Sequence, residues 1–229
     1  MSNSLFVRVS LAWVFLVTYT IAIAADENGS DCPCQVPDRP SLWEKEALAR
    51  WMVHSLDWGV LTTISSRLPG VKPFGNVYSF VDGQCSNSTG TPYFYGTYLD
   101  QSFQDIRENP SVSLTLSEAS LPSVCGGKAS KSCSITGSNL GDPENPVCAR
   151  LTLTGTLEQV PFESEEYAMA QQAFFERHPQ MDYWPQDHHW IIAKLEIADI
   201  WLINYFGGAK ILPVDAYYGA KLEFGSVQD

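Results

Sequence analysis

Residues 73–83 read PFGNVYSFVDG, and this stretch predicts a strand followed by a turn. Phe74 to Val81 is rich in aromatic and β-branched residues, which pack well on a pleated surface. Asp82 and Gly83 follow at once, and Asp-Gly is a strong turn signal. We therefore predict a strand that ends at Val81.

Further strands are predicted on both sides of this stretch. The segment Ser111 to Ser117 alternates apolar and hydroxyl residues, which indicates a half-buried strand. The other predicted strands are 58–65, 92–99, 148–160, 189–197 and 199–206. Helices are predicted at 42–56, 100–108 and 164–177: Ser41 and Glu44 form a capping box before the first, and Asp100 and Ser164 cap the other two. The chain lacks the alternation of strands and helices that is typical of parallel sheets. The pattern favours a mainly β protein, a closed antiparallel barrel with flanking helices.

The N-terminal region predicts a protein of the secretory pathway. Residues 1–24 carry one cation, Arg8, then an apolar run and the small-residue pattern Ala22-Ile23-Ala24, as in a cleaved signal peptide. Residues 25–41 are polar and contain prolines, so we expect a flexible segment. Residues 42–222 are then one domain of ordinary globular composition, in a chain of 229 residues that is 45% hydrophobic.

The charge of the chain argues against nucleic-acid binding. Its formal net charge is −12, and it contains no run rich in Lys or Arg. An acidic surface repels phosphate backbones and anionic lipid. We therefore expect neither a nucleic-acid partner nor stable membrane insertion after signal cleavage.

Cysteines and sequons fit an oxidising compartment. An even number of cysteines in such a compartment favours disulfides, although six cysteines allow 15 pairings and the sequence does not choose among them. Asn28 and Asn87 each begin an N-x-S/T sequon in a polar stretch, so both are candidate glycosylation sites. The disulfide candidates are Cys32, Cys34, Cys85, Cys125, Cys133 and Cys148.

The sequence contains no motif that indicates a catalytic or metal-binding site. His178, His188 and His189 lie near Asp182 and Asp187, but their spacing fits no metal-ligand motif. The sequence contains no G-x-S-x-G elbow, no P-loop and no G-x-G-x-x-G fingerprint. We therefore predict neither a catalytic residue nor a metal site.

An ordered set of motifs resembles one family. The set looks like the CREG family, named as cellular repressors of virus-stimulated transcription, and extends from about residue 42 to 219. It comprises PFGNVYSFVDG (73–83), GTPYFY (90–95), NPSVSLTLSE (109–118), His178-Pro179, Trp184-Pro185, His189-Trp190, IWLI (200–203) and YFGG (205–208).

The resemblance implies a fold and a cofactor question. It implies the six-stranded split β-barrel of flavin-binding pyridoxamine 5′-phosphate oxidase relatives, a homodimer, and a family that lacks the usual flavin activity. If FMN binds, the resemblance places it at Asn76, Val77, Thr97, Tyr98, Ser102 and Gln104. Between Phe80 and Ile106, however, the chain has no Lys, Arg or His to neutralise the phosphate.

Two functions therefore remain open. The first is a secreted or endolysosomal or vacuolar glycoprotein that uses no cofactor, is not catalytic, and acts by protein binding or regulation, with a receptor or a sorting protein as its partner. Exposed aromatic residues around Tyr183-Trp184 and Tyr217-Tyr218 are candidate contacts in that case. The alternative is an FMN-binding oxidoreductase, which rests on fold analogy.

Overall fold

The computed structural model describes residues 34–122, 125–135, 141–222 and residue 224. The predicted signal peptide, Asn28 and Cys32 lie outside the described residues. Within them, no helix combines the length and apolar character needed to cross a membrane.

Six antiparallel strands close into a barrel, as predicted. They are hydrogen-bonded in the order β3-β2-β1-β4-β5-β6, and pairing of β3 with β6 closes the circle. A short seventh strand, β7, pairs with the end of β6. The strands are β1 (Trp58–Ile64), β2 (Pro73–Val81), β3 (Tyr93–Gly96), β4 (Ser111–Ser117), β5 (Arg150–Gln159), β6 (Ile191–Ile203) and β7 (Lys210–Ile211).

In the described part of the chain, four α-helices flank the barrel: α1 (Lys45–Ser55), α2 (Gln101–Glu108), α3 (Glu165–Arg177) and α4 (Val214–Gly219). The side chains of Asp100 and Ser164 cap α2 and α3 by accepting hydrogen bonds from backbone N–H groups. The predicted capping box before α1 forms only in part. The Ser41 N–H donates to the Glu44 carboxylate, but no side chain caps the helix, which starts later than predicted.

The two strands predicted at 189–197 and 199–206 are one strand, so that prediction is wrong. Thr154 pairs with Asp199 and Gly155 with Ile197, which leaves Ala198 as the extra residue of a β-bulge. The bulge interrupts the alternation of side chains without ending the hydrogen-bonded ladder. The strand also begins later than predicted, because His189 has a left-handed backbone with φ of 51°.

Buried side chains form two clusters on opposite faces of the sheet. Phe94 belongs to the cluster inside the barrel, whereas its neighbours Tyr93 and Tyr95 belong to a second cluster beneath α3. This follows from the alternation of side chains along a strand. β3 is therefore buried on both faces and fixes α3 against the barrel.

The long segment between β4 and β5 is attached to the domain by a buried carboxylate. Glu118 is fully buried, pairs with Arg39 at 2.8 Å, and accepts hydrogen bonds from the N–H groups of Ser130 and Ala149. The Cys133–Cys148 disulfide holds the end of this segment.

Candidate functional site

The barrel is split between β2 and β3, and the split forms a cleft. The two strands pair only at Phe80–Phe94 and Val81–Tyr93, whereas β1 follows β2 along its other edge. Beyond these pairs β2 and β3 separate. The resulting cleft has a volume of about 520 Å³. Its lining residues are Asn76, Val77, Tyr78, Ser79, Tyr95, Gly96, Thr97, Leu99, Asp100, Met181, Trp184 and Trp190.

Asp100 carries the ionisable carboxylate of the cleft lining. Its Oδ1 accepts hydrogen bonds from the Ser102 N–H at 2.7 Å and from the Tyr78 hydroxyl. Burial, together with this bond to Asp100, raises the pKa of Tyr78 far above its ordinary value. Tyr78 therefore remains a neutral donor that holds the carboxylate in place.

Three aromatic rings form one wall of the cleft. Trp190 stacks on Tyr95 with ring centroids 5.1 Å apart, and Trp184 lies 4.9 Å from Trp190. Trp184 and Trp190 come from the segment that precedes β6, and both are half-buried. The Thr97 hydroxyl donates to the carbonyl oxygen of His188, which ties that segment to the end of β3.

The six residues predicted for a flavin pocket divide into three groups. Asn76, Val77 and Thr97 line the cleft. Ser102 lies behind Asn76, whose amide donates to its hydroxyl at 3.3 Å. Tyr98 and Gln104 lie outside the lining: Tyr98 carries Arg107 over its ring, and Gln104 donates to the Tyr98 carbonyl.

Sequence reasoning missed the aromatic wall and the role of Asp100. Trp184 and Trp190 are far from β2 in sequence, and no local pattern predicts that they reach the split. Asp100 was recognised as a helix cap, and it also lies next to the separating strands. No Lys, Arg or His side chain contributes to the lining that the described part of the chain provides.

The histidines of the described residues are not part of the cleft lining and do not form a separate functional site. His54 is buried and its Nδ1 lies 2.7 Å from Asp82 Oδ1. The Nε2 atom of His178 lies 3.5 Å from the carbonyl oxygen of Phe80, and the side chain of His189 is exposed. Where the structure is described, no group of three or more His, Cys, Asp or Glu residues could hold a metal ion.

Cysteines in the described residues are disulfide-bonded, as predicted. Cys34 pairs with Cys85 and Cys133 with Cys148, and Cys125 is also disulfide-bonded. The sequon asparagine Asn87 is exposed in the loop that follows Cys85.

One of the predicted aromatic contact pairs is partly buried. Tyr183 is 83% exposed, but Tyr217 is buried and its hydroxyl donates to the Gly90 carbonyl at 2.6 Å. Tyr217 therefore stabilises the domain and offers no contact surface.

Solved structures share this architecture at low sequence identity. A heme binding protein from Mycobacterium smegmatis superposes with a TM-score of 0.57 at 19% identity, covering 80% of this chain and 62% of that chain. The protein Atu2129 from Agrobacterium tumefaciens superposes with a TM-score of 0.51 at 18% identity, covering 73% of this chain and 59% of that one. These similarities concern the fold.

Sequence comparison gives the family. Chicken protein CREG1 is 38% identical over 182 residues, which cover 78% of this chain and 87% of the chicken protein. Human protein CREG1 is 35% identical over 200 residues, which cover 86% and 84%. The family profile described as CREG, beta-barrel, matches residues 40–219. The split barrel and these matches together show that the chain belongs to the CREG family.

Proposed function

We propose that this chain is a glycoprotein of the secretory pathway, delivered outside the cell or to the lysosome or vacuole, that acts by binding proteins and does not catalyse flavin chemistry. The observation that carries the proposal is the charge of the cleft. Its lining provides the Asp100 carboxylate, and none of the lining side chains in the described residues is a cation.

These residues do not fit the phosphate of FMN. A phosphate dianion needs Arg or Lys, backbone N–H groups or a helix N-terminus as partners. The N-terminus of α2 already has its negative group, because Asp100 accepts the Ser102 N–H. At a separation of about 5 Å and an effective dielectric constant of about 20, the repulsion between a carboxylate and each unit of negative charge on the phosphate costs about 3 kcal/mol.

Other features support the secretory assignment. Residues 1–24 have the pattern of a signal peptide, and disulfides are typical of oxidising compartments. Asn87 is exposed, as an acceptor of a glycan must be.

Binding surfaces are available for a homodimer or for a receptor or sorting partner. Trp43, Tyr183 and Phe206 are 73%, 83% and 65% exposed. Aromatic residues of this kind are enriched at protein interfaces. These exposed aromatic side chains therefore support the proposal that the chain binds proteins.

One preparation tests the proposal. The full chain is expressed in secreting eukaryotic cells, recovered from the medium, and analysed by mass before and after glycan removal. It is then titrated with FMN while flavin fluorescence is followed. We expect glycan removal to lower the mass of the wild-type chain. If Asn87 is the glycosylated asparagine, the mass of the Asn87→Gln variant should not change. In the titration we expect no saturable flavin binding up to about 100 µM.

Two results would contradict the proposal. Stoichiometric binding at about 1 µM FMN would support the alternative, an FMN-binding oxidoreductase. Retention of the protein in the cytosol, with no glycan, would contradict the secretory assignment while leaving the conclusion about flavin intact.

A further inference from the structure

We propose that the cleft between β2 and β3 binds a small organic cation, an arylalkylammonium ion, with the ammonium group at Asp100 and the aryl body against Tyr95, Trp184 and Trp190. The proposal goes beyond the function proposed above, because it assigns a ligand class to the cleft. It depends on the same charge distribution but not on secretion, glycosylation or a protein partner.

The size of the cleft suits a small molecule. Its volume of about 520 Å³ lies within the range of ligand pockets, which hold mostly apolar walls and a few placed polar groups. Met181, Trp184 and Trp190 supply the apolar surface, and Asp100 and Asn76 supply polar atoms. An elongated ligand with one polar end and one flat end matches this division.

The Asp100 carboxylate has capacity for a cation. Its Oδ1 accepts two hydrogen bonds, while its Oδ2 accepts none from the described residues, and none of the ion pairs formed within the described part of the chain includes Asp100. An ionised carboxylate offers about four acceptor positions in all. The Tyr78 hydroxyl and the Ser102 N–H fix its position, so the carboxylate is preorganised to receive an N–H donor.

The aromatic wall favours the same charge. The faces of Trp and Tyr rings attract cations, most strongly for Trp. Burial, with a smaller contribution from electrostatic interaction with Tyr167 and Asp182, raises the pKa of Tyr95 to about 12, so Tyr95 remains neutral. The wall segment also carries the exposed carboxylates Asp182 and Asp187. The Asp100 carboxylate and the ring faces of the lining therefore both favour a cation over an anion in the cleft.

A neutral sugar is the competing ligand class, because it also stacks on aromatic rings. The observation that separates the two classes is the Oδ2 atom of Asp100, which accepts no hydrogen bond from the described residues and lies in a cleft whose described lining carries no cation. A sugar hydroxyl gains one ordinary hydrogen bond there, whereas an ammonium group gains a charge-assisted one, which is about twice as strong.

The test uses the full chain and four probes: 2-phenylethylammonium, its neutral counterpart 2-phenylethanol, methyl glucoside and inorganic phosphate. Binding is measured by calorimetry and by tryptophan fluorescence. We expect the ammonium ion to bind saturably with a Kd of about 1 mM or below. We expect 2-phenylethanol to bind at least about tenfold more weakly, and phosphate not to bind.

A charge-removing variant locates the interaction. In Asp100→Asn, the asparagine still caps α2, because Asn and Asp are equally good N-caps. Its side-chain oxygen also still accepts the hydrogen bond from the Tyr78 hydroxyl. The affinity of this variant for the ammonium ion should fall about tenfold or more, while its affinity for 2-phenylethanol stays unchanged. Asp215→Asn, which removes an exposed carboxylate on α4 outside the cleft lining, is the matched control and should bind like the wild type.

The proposal is overturned if 2-phenylethanol or methyl glucoside binds as tightly as the ammonium ion, or if no probe binds. Equal affinity of Asp100→Asn and the wild type for the ammonium ion overturns it as well. If Asp100→Asn does not fold, the comparison of the ammonium ion with the alcohol on the wild-type chain decides alone. FMN binding would instead contradict the proposed function, so the two failures are distinguishable.

Discussion

His54 and Asp82 form a buried pair beneath the loop that carries Asn87. The Nδ1 atom of His54 lies 2.7 Å from Asp82 Oδ1, and Ser88 donates to the second carboxylate oxygen. The Arg177 guanidinium donates to the His54 carbonyl. Both members of the pair are almost inaccessible to solvent, so each stabilises the other in a region of low dielectric.

The pair predicts a loss of stability in acid. Burial alone raises the pKa of Asp82, but the hydrogen bond and charge of His54, with Ser88 and Arg177, outweigh burial and lower the pKa below its usual range. A carboxyl with a lowered folded pKa contributes stability that is present above its unfolded pKa of about 3.9 and is lost as the pH falls through the folded value.

Asp82→Asn should therefore reduce the free energy of unfolding by about 2 kcal/mol at pH 7, because it replaces the buried carboxylate that accepts hydrogen bonds from His54 and Ser88 by a neutral amide. Its stability should also change less than that of the wild type below pH 4 or so. Denaturant unfolding at several pH values measures both effects. Asp215→Asn is the exposed control, and a loss equal to that of the control would contradict the structural role.

At the scale of elements, the bulge in β6 depends on Gly155 of β5. A Cβ at Gly155 would lie 1.9 Å from the Glu196 carbonyl oxygen, which is far inside contact distance. The close approach of the two backbones occurs where Ala198 is accommodated. The φ of Gly155 is not positive, so glycine is required here for space and not for a left-handed backbone conformation.

Gly155→Ala should lower the free energy of unfolding by about 3 kcal/mol, since the backbone of β6 must shift to admit the methyl group. Gly219→Ala is the matched control, because no atom lies within 4 Å of the Cβ it would add. That variant should be unchanged or more stable by up to about 1 kcal/mol. Thermal unfolding of both variants is the measurement, and equal midpoints would show that β6 has room at this position.

At the scale of the whole molecule, the two disulfides whose cysteines both lie in the described residues close loops of different length. Cys34 and Cys85 are 51 residues apart and join the N-terminal segment to the loop with Asn87. Cys133 and Cys148 are 15 residues apart. A disulfide stabilises mainly by restricting the unfolded chain, and the effect increases with loop length.

Replacing both cysteines of a pair by alanine should cost about 4 kcal/mol for Cys34–Cys85 and about 3 kcal/mol for Cys133–Cys148. Guanidinium unfolding of the two double variants gives the order. A larger loss for Cys133–Cys148 would mean that native contacts of the segment near Glu118, and not loop length, set the cost.

How much the sequence predicts depends on the range of the interactions concerned. Asp100 and Ser164 cap helices through bonds to residues two and three positions away, and both caps were predicted. The segment Ser111–Ser117 was predicted with its observed bounds, because alternation is local. The continuation of β6 through Ala198 was not predicted, because a β-bulge can be recognised only from the pairing of β6 with β5.

The candidate site shows the same division. Asn76, Val77 and Thr97 were proposed from the resemblance and do line the cleft. Trp184 and Trp190 lie about 90 residues after Thr97 and more than about 100 after Asn76, in a segment without periodicity. Their place beside Tyr95 depends on the closure of the barrel by β3 and β6.

The sequence by itself determined the antiparallel barrel, the helix caps, the family and the absence of cations between Phe80 and Ile106, because these follow from local patterns and composition. Only the tertiary structure decided that β2 and β3 separate after two residue pairs and that a carboxylate and three aromatic rings meet in the gap. The physical reason is that strand pairing over long sequence distances places these groups together, and no short-range pattern encodes that contact.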